Sequence, residues 1–301
     1  MIRLAALVII LVLGGCARRP PPPEACAFGI IGDTPYDEHE TVPFLYAIEA
    51  MNADALAFSV HLGDMKAGGD SPCTDALYAE RKRHFDRYRH PFLFIPGDNE
   101  WVDCRRASNG AMDPLERLAK LRSVFYEPTI PPAWRALDMQ RHPEYPEVAR
   151  WTRGGVVFVT LNVQGSNDNV GFDRASDREQ ERRSAVNLAW LAEAVQLAVD
   201  THARGLAVII QADPFLESRG KVFDPLLKAL VDSAETLHRP MLFIHGDTHW
   251  QRVDKPFTDA GGRTVANLTR LETYGSPWVG WVKVFVDPDD PRLFRFEARP
   301  Q

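Results

Sequence analysis

Short runs of apolar residues alternate along the chain with segments in which apolar residues recur every three or four positions. The runs lie at 28–31, 56–62, 92–95, 156–161, 206–210 and 241–244. Helical periodicity fills most of the intervals, at 41–52, 73–88, 113–125, 178–202 and 221–238. Buried strands joined by helical crossovers form parallel sheets, so the alternation predicts an α/β fold.

The pattern changes after residue 250. Short segments with alternating apolar and polar positions follow at 264–272, 279–286 and 292–297. A period of two is typical of strands with one buried face, so we expect antiparallel strands that extend or cover a sheet. No internal repeat or second linker interrupts the sequence, and residues 26–301 are predicted to form a single domain.

The composition excludes several classes of protein. With 45% hydrophobic and 25% charged residues, the chain is neither disordered, collagenous, a coiled coil nor a polytopic membrane protein. Its formal net charge of −6 is the wrong sign for binding a phosphate backbone, so we expect no nucleic-acid partner.

Residues 1–15 are predicted to be a signal peptide. Arg3 is the only charge, and the apolar run at 4–13 is too short to span a bilayer. Leu13 to Cys16 resembles the lipobox of bacterial lipoproteins, in which the cysteine is lipidated; a plain secretory signal with an incidental cysteine is the alternative. The proline-rich residues 16–25 predict a stiff tether.

The lipobox resemblance implies a domain anchored by lipid on the periplasmic face of the cell envelope. Ala17 follows the cysteine, where an aspartate would signal retention in the inner membrane, so we expect the outer membrane. The lipid would then be the only membrane contact. An exported chain can also form disulfides, which makes the remaining cysteines informative.

Four Gly-Asp pairs stand at or beside the ends of predicted strands. They contribute Asp33, Asp64, Asp98 and Asp247, and a fifth strand is followed by Asp213. Each pair alone also fits an ordinary turn or a helix N-cap. The carboxyl ends of parallel strands share one edge of a sheet, where ligands bind, so together the pairs predict a convergent cluster.

Clustered carboxylates repel each other and would take up protons unless cations compensate them. Two divalent ions would balance most of the charge, and a shared carboxylate can bridge them. His249, two residues beyond Asp247, is a further candidate ligand. His245 lies on the opposite face of its strand by alternation, or supports a ligand from behind.

The order of these blocks resembles that of the calcineurin-like metallophosphoesterase family. The family's blocks are Asp-x-His, Gly-Asp, Gly-Asn-His-Asp/Glu, a lone His and Gly-His-x-His. The matching stretches here are 32–35, 63–64, 97–100, 211–214 and 246–249. The resemblance implies an αββα sandwich of mixed sheets, with the active site at the carboxyl ends of the strands. It also implies hydrolysis of phosphate mono- or diesters through a dinuclear metal centre, with a small phosphoester as substrate.

By this resemblance, Asp33, Asp64 and His249 would hold the first metal ion, with Asp64 bridging to the second. Asp98 and Asp247 would hold the second ion together with a residue from the fourth block. For that residue Gln211 remains an alternative, and we prefer Asp213 because a carboxylate is a stronger ligand than an amide.

Departures from the family pattern fall on histidines. Pro35 stands where the first block has its histidine, so that ligand is missing unless Tyr36 or His39 replaces it. Asp98 and Asp247 replace an asparagine and a histidine. The donor set becomes rich in oxygen, which favours Mn²⁺, Mg²⁺ or Ca²⁺ over zinc or iron.

Asn99 occupies the position of the family's catalytic histidine, which is thought to protonate the leaving group. Asparagine has no titrating proton but can orient a phosphoryl oxygen, and Glu100 or His61 are alternative acids. We predict catalytic roles for Asn99 and Glu100. The losses at Pro35 and Asn99 also motivate a second hypothesis, a catalytically degenerate lipoprotein of the same fold that binds an envelope partner.

Basic residues follow two of the blocks. Lys66 and Arg105 are predicted to contact substrate phosphate, although they also fit a solvated rim. The Asn- and Gly-rich residues 162–169 either line the substrate cleft or form an ordinary turn. Cys73 and Cys104 flank the second and third blocks, and a disulfide between them would link two loops of the site; Cys26 is left over.

Overall fold

The structure is a computed structural model that describes residues 23–126, 136–216 and 221–301. The predicted signal peptide, the lipidation site Cys16 and most of the 16–25 tether lie outside the described residues. Among the helices that are described, none combines the length and the apolar character needed to cross a membrane.

The described strands and helices follow the predicted alternation. The strands are β1 (Cys26–Ile31), β2 (Ser59–His61), β3 (Phe92–Phe94), β4 (Gln140–Arg141), β5 (Ala149–Arg153), β6 (Val156–Thr160), β7 (Gly205–Ile209), β8 (Met241–His245), β9 (Arg252–Asp254), β10 (Leu268–Glu272), β11 (Gly280–Val286) and β12 (Phe294–Pro300). The helices are α1 (Glu38–Ala53), α2 (Asp75–Phe85), α3 (Pro114–Phe125), α4 (Arg174–Asp200) and α5 (Asp224–Leu237).

The strands form two mixed sheets. The first has the order β12-β11-β1-β2-β3, and the second has the order β4-β5-β6-β7-β8-β10-β9. β1, β2 and β3 are parallel, as are β6, β7, β8 and β10. The carboxyl ends of the central strands therefore share one edge in each sheet.

The two sheets pack face to face, with helices on their outer faces. Between the sheets, the ring of Phe158 contacts those of Phe28 and Phe58 at centroid distances of 5.2 and 5.0 Å. Outside the first sheet, Phe44 of α1 and Phe85 of α2 pack on His61. Outside the second sheet, the apolar faces of α4 and α5 bury one face of β6, β7 and β8. This arrangement confirms the predicted αββα sandwich.

Local signals determine where the helices begin. The carboxylate of Asp37 accepts hydrogen bonds from the backbone N–H groups of His39 and Glu40, and Asp173 caps α4 in the same way. These are the side chains that best satisfy the unpaired N–H groups of a first helical turn. These caps start α1 at Glu38 and α4 at Arg174, ahead of positions 41 and 178 at which the periodicity predicted the helices to begin.

Two features of the sheets differ from the sequence-based expectation. The β4 and β5 strands, which extend the second sheet beyond β6, were not predicted, because only Ala149 and Trp151 mark the buried face of β5. In the tail, β11 and β12 make the expected antiparallel pairs. In contrast, β10 pairs in parallel with β8, and its antiparallel partner β9 was not predicted. Strand direction depends on the long-range partner and is not encoded in the alternation.

Candidate metal centre

The corners that follow strands of both sheets meet at one place. Asp33 follows β1, Asp64 follows β2 and Asp98 follows β3, while Asp247 follows β8 of the other sheet. The backbone N–H of Asp247 donates a hydrogen bond to Oδ1 of Asp33 over 2.9 Å. The sandwich therefore brings together residues that are more than two hundred positions apart in the sequence.

Glycine is required where the second and third corners pack against each other. Gly63 has a φ of +90°, and a Cβ at this position would lie 2.3 Å from the backbone nitrogen of Gly97. A Cβ at Gly97 would lie 2.1 Å from Oδ1 of Asp64. Since no side chain fits either position, these glycines let the Asp64 carboxylate approach the third corner.

Four of the candidate ligands have left-handed backbone conformations. The φ angles are 53° at Asp33, 53° at Asp64, 82° at Asp247 and 63° at His249. This region is uncommon for residues other than glycine and costs on the order of 1–3 kcal/mol at each position. Strain of this kind concentrates at functional sites, because it aims side chains where an unstrained turn would not.

One group of carboxylates has the spacing of a cation site. Asp64, Asp98 and Asp247 each offer an oxygen, and these oxygens lie within 4.8 Å of one another. The side-chain amide of Gln211 donates hydrogen bonds to Oδ1 of Asp98 over 3.3 Å and to Oδ1 of Asp247 over 3.0 Å. Gln211 thereby joins the fourth block to the cluster.

The carboxylate of Asp213 points elsewhere. It lies 2.7 Å from the guanidinium of Arg252, which also contacts the carboxylate of Glu272 at 2.6 Å. Asp213, His245 and Glu272 have donor atoms close enough for a cation, but arginine already supplies the positive charge there. Of the two alternatives that the sequence left open, the structure places Gln211, and not the Asp213 side chain, against Asp98 and Asp247.

His249 lies beside the first corner. Its Nδ1 is 2.6 Å from the carbonyl oxygen of Ser276, and its Nε2 is 2.9 Å from the Tyr36 hydroxyl and 3.8 Å from Oδ1 of Asp33. Oδ2 of Asp33 is buried and has no hydrogen-bond partner among the described residues. Asp33, Tyr36 and His249 thus form a second group of donors next to Asp64.

The predicted catalytic residues have different environments. The Asn99 amide donates to the Tyr36 hydroxyl over 3.2 Å and to the Lys66 carbonyl over 3.0 Å, so Asn99 faces the donor groups. The Glu100 carboxylate accepts hydrogen bonds from the backbone N–H groups of Gly97, Asp64 and Met65. Glu100 therefore holds two corners together from the buried side, where burial raises its pKa to about 7.

The candidate substrate-binding cations are engaged with the chain itself. The buried ammonium of Lys66 donates to the carbonyls of Ala67 and Asn99. The guanidinium of Arg105 donates to the Val102 carbonyl and lies 3.3 Å from the ring centroid of Phe172. These contacts hold backbone segments and the edge of the site in place. In the described part of the chain, neither cation forms an ion pair with Asp33, Asp64 or Asp98.

The alternative histidines lie away from the donor groups. His61 is buried under α1 and α2, where Nε2 contacts the Thr34 carbonyl at 2.8 Å and Nδ1 accepts from the Gly63 N–H. Burial lowers its pKa to about 4. His39 is exposed on the first turn of α1.

Two polar residues that the sequence did not single out support Asp98. The Ser166 hydroxyl lies 2.7 Å from Oδ2 of Asp98 and 2.7 Å from Oδ1 of Asp103. Burial, followed by the charge of Asp98, raises the pKa of Asp103 to about 7. The 162–169 segment thus contacts the cluster through Ser166, and its Asn- and Gly-rich composition was the available signal.

A disulfide links the loops that follow the second and third corners. It joins Cys73 to Cys104, with a Cα–Cα distance of 5.8 Å. Cys26 has no disulfide partner among the described residues.

Negative charge accumulates at the site, where the buried ammonium of Lys66 is a nearby positive charge that offsets only part of it. Burial, reinforced by neighbouring carboxylates, raises the pKa of Asp33 and of Asp64 well above the ordinary range. In the described ranges, no lysine or arginine forms an ion pair with either residue. Without a cation such buried carboxyl groups tend to keep their protons, whereas a divalent ion would stabilise their charged forms, so the donor set fits hard metal ions.

Compared by sequence, the chain matches no known protein family, and no curated protein is significantly similar to it. Compared by structure, it is similar to a dimetal phosphatase from Danio rerio, with a TM-score of 0.51 and 14% identity over 91% of this chain and 96% of that chain. It also matches GAP50, the anchor in the inner membrane complex of Plasmodium, with a TM-score of 0.48 and 12% identity over 92% of this chain and 89% of that chain.

The likeness to the dimetal phosphatase extends over nearly all of both chains and concerns the fold. It agrees with the two mixed sheets, the outer helices and the corners at the carboxyl ends of the strands. The chain therefore has the metallophosphoesterase fold, with a cluster of buried carboxylates at the edge where that fold brings its strand ends together.

Proposed function

We propose that this chain is a metal-dependent phosphoesterase that hydrolyses phosphate mono- or diesters. The observation that carries the proposal is the convergence of Asp33, Asp64, Asp98 and Asp247 on one edge of a metallophosphoesterase fold. No basic side chain in the described ranges pairs with the first three of these. A fold alone does not establish an activity. The additional support is that these buried carboxyl groups lie at the edge of the sheets where ligands bind.

Two groups of donors would hold two divalent ions. Asp33, Asp64 and His249 form one group, and Asp64, Asp98, Gln211 and Asp247 form the other. The ions would activate a water molecule and stabilise the charge that develops on the phosphoryl group. Oxygen donors predominate, which favours Mn²⁺, Mg²⁺ or Ca²⁺ over zinc or iron.

Residues of the chain position the reacting groups. The Asn99 amide can donate a hydrogen bond to a phosphoryl oxygen, because its Nδ2 already faces the donor groups beside Tyr36. Its backbone N–H donates to Oδ1 of Asp64 over 3.2 Å and keeps the bridging carboxylate in place. Asn99 supplies orientation and no proton, so hydrolysis should depend on good leaving groups.

The test compares wild-type protein with Asp64→Asn and with the control Asp70→Asn, which changes an exposed aspartate outside the site. Metal content is measured by elemental analysis after loading with each metal separately. Turnover is measured with p-nitrophenyl phosphate and bis(p-nitrophenyl) phosphate. We expect two ions per chain in the wild type and the control, and about a thousandfold slower hydrolysis in Asp64→Asn, since metal ions supply several kcal/mol of charge stabilisation.

The same experiment addresses the second hypothesis. If the wild-type protein binds metal but shows no metal-dependent hydrolysis of either ester, the proposed phosphoesterase activity is contradicted. The second hypothesis, a protein that keeps the fold and binds an envelope partner, would then be favoured. The missing activity would be explained by Asn99, which stands where the family has its catalytic histidine.

We propose further that the protein is anchored by lipid at the periplasmic face of the envelope, most consistently in the outer membrane. The support is the lipobox-like sequence from Leu13 to Cys16 and the proline-rich segment after it. Incorporation of labelled palmitate into the wild type, and its loss in Cys16→Ser, would test this. Equal labelling of both proteins would contradict it.

A further inference from the structure

One ligand position of the candidate metal centre lacks its expected residue. The first block has Pro35 where the metallophosphoesterase pattern has a histidine, and a proline side chain offers no donor atom. The group around Asp33 would then have only carboxylates and His249. The next residue in the sequence, Tyr36, places a hydroxyl among these donors.

The contacts of Tyr36 connect both sides of the site. Its hydroxyl oxygen lies 2.9 Å from Nε2 of His249 and 3.5 Å from Oδ2 of Asp64. It also accepts a hydrogen bond from the Asn99 amide over 3.2 Å. The phenolic oxygen therefore lies in hydrogen-bond contact with two of the residues that we assign to the first ion.

The partner of Nδ1 determines the protonation pattern of His249. The carbonyl oxygen of Ser276, 2.6 Å away, can only accept a hydrogen bond, so Nδ1 carries the hydrogen. In the neutral ring Nε2 then presents a lone pair toward Tyr36. The Tyr36 hydroxyl can therefore donate a hydrogen bond to Nε2, and the oxygen and the nitrogen of this pair are both atoms that can bind a metal ion.

The surrounding charge favours a cation at this place. Oδ1 of Asp33 is 3.8 Å from Nε2 of His249, and the buried Oδ2 of Asp33 has no hydrogen-bond partner in the described part of the chain. A divalent ion that displaced the phenolic proton would gain the lone pairs of Tyr36 and His249 together. It would also satisfy the carboxylate of Asp33.

We propose that Tyr36 is a ligand of the first metal ion and takes the position that Pro35 leaves vacant. This inference rests on the proposed metal centre. On binding, the phenolic O–H bond breaks, its proton passes to solvent, and the oxygen forms a bond to the metal. The ligands of the first ion are then Asp33, Tyr36, Asp64 and His249. A phenolate is a hard anionic donor, in keeping with the oxygen-rich character of the site.

The experiment follows the phenol directly. Wild-type protein, Tyr36→Phe and the control Tyr46→Phe are titrated with Mn²⁺, and separately with Zn²⁺. Tyr46 is an exposed tyrosine of α1, 65% accessible, and has the same chemistry away from the site. The readouts are the ultraviolet difference band of phenolate, the protons released per ion in weak buffer, and the number of ions held per chain after gel filtration.

We expect the wild type and Tyr46→Phe to show a phenolate band and to hold two ions per chain. Tyr36→Phe should lack the band, release one proton fewer and bind one of the ions at least tenfold more weakly. Tyr36→His, which restores a donor, should recover the second ion without a phenolate band. If Tyr36→Phe does not fold, the wild-type difference spectrum decides the question alone.

The proposal is overturned if metal binding to the wild type produces no phenolate band, or if Tyr36→Phe binds both ions as tightly as the wild type. Hydrolysis without a phenolate band would reject the role of Tyr36 and leave the proposed function intact. Two bound ions and a phenolate band without hydrolysis would support Tyr36 as a ligand and reject the proposed function. A wild-type protein that binds no ions would overturn both.

Discussion

The side-chain amide of Gln211 donates a hydrogen bond to Oδ1 of Asp247 over 3.0 Å. This contact decides the register of the fourth block, because Asp213, two residues further on, turns its carboxylate toward Arg252 instead. The amide oxygen of Gln211 accepts a hydrogen bond from the backbone N–H of Gly165 over 2.7 Å, so binding a metal ion through this oxygen would require the amide to rotate and give up that bond.

If Gln211 and not Asp213 serves the metal site, substitutions of these two residues should have different effects. Gln211→Ala should weaken the binding of one ion about 10–100-fold, as is common when a metal site loses a supporting contact, and should cost about 1–3 kcal/mol of stability because the buried N–H of Gly165 loses its acceptor. Asp213→Asn should bind metal nearly as well but lose about 3 kcal/mol of unfolding free energy, because Arg252 and Arg270 lose a buried partner. Calorimetric metal titration and urea denaturation measure the two effects. The reverse pattern would make Asp213 the ligand.

Steric exclusion at Gly165 provides a second prediction. A Cβ at this position would lie 2.7 Å from Oδ1 of Asp98 and 2.7 Å from Oδ1 of Asp247. Gly165→Ala should push these carboxylates apart and weaken metal binding at least tenfold, since the atoms that must move to make room are the candidate ligand oxygens themselves. Gly69→Ala is the matched control, because a Cβ there meets nothing within 4 Å. Equal metal affinities of the two variants would show that the segment containing Gly165 does not shape the site.

Reduction of the Cys73–Cys104 disulfide should destabilise the protein. The bridge spans 31 positions, and closing a loop of that length stabilises a chain by about 3–4 kcal/mol in the chain-entropy description. The double variant Cys73→Ser/Cys104→Ser should unfold at correspondingly lower urea concentration, whereas Cys26→Ser should not. Metal affinity should fall as well, because the bridged loops carry Asp64 and Asp98. Unchanged stability of the double variant would contradict this role.

The buried His61 predicts a pH dependence of stability. Burial lowers its pKa from the ordinary value of 6.5 to about 4, so between these values the unfolded chain binds more protons than the folded one. Stability is therefore lost as the pH falls from 6.5 toward 4, by at most about 3 kcal/mol from this residue.

His61→Gln should reduce that pH dependence, since glutamine can keep both hydrogen bonds without titrating. His39→Gln, at an exposed position of α1, should leave it unchanged. Urea denaturation at several pH values, with divalent ions removed by a chelator, gives the comparison. Parallel curves for wild type and His61→Gln would mean that His61 does not titrate on unfolding.

The elements of the fold were largely predictable, because each depends on local information. Runs such as 206–210 and 241–244 form β7 and β8. The helical periodicity at 178–202 corresponds to α4, whose buried residues include Trp190, Leu191 and Ala194. The weakly patterned β5 could not be recognised in the same way. Only Ala149 and Trp151 are buried in it, and it becomes a strand through its antiparallel pairing with β6.

The sequence by itself determined most of the strands, the long helices and the positions of the Gly-Asp corners, since these depend on periodicity and on turn chemistry between neighbours. Only the tertiary structure decided which side chains meet. It placed the side chain of Gln211, rather than that of Asp213, beside the Asp247 carboxylate. It directed the Glu100 carboxylate to backbone N–H groups of two corners and brought the Tyr36 hydroxyl to His249. Such choices depend on the direction of each side chain after a strand ends and on the packing of two sheets, and these are set by contacts between distant parts of the chain.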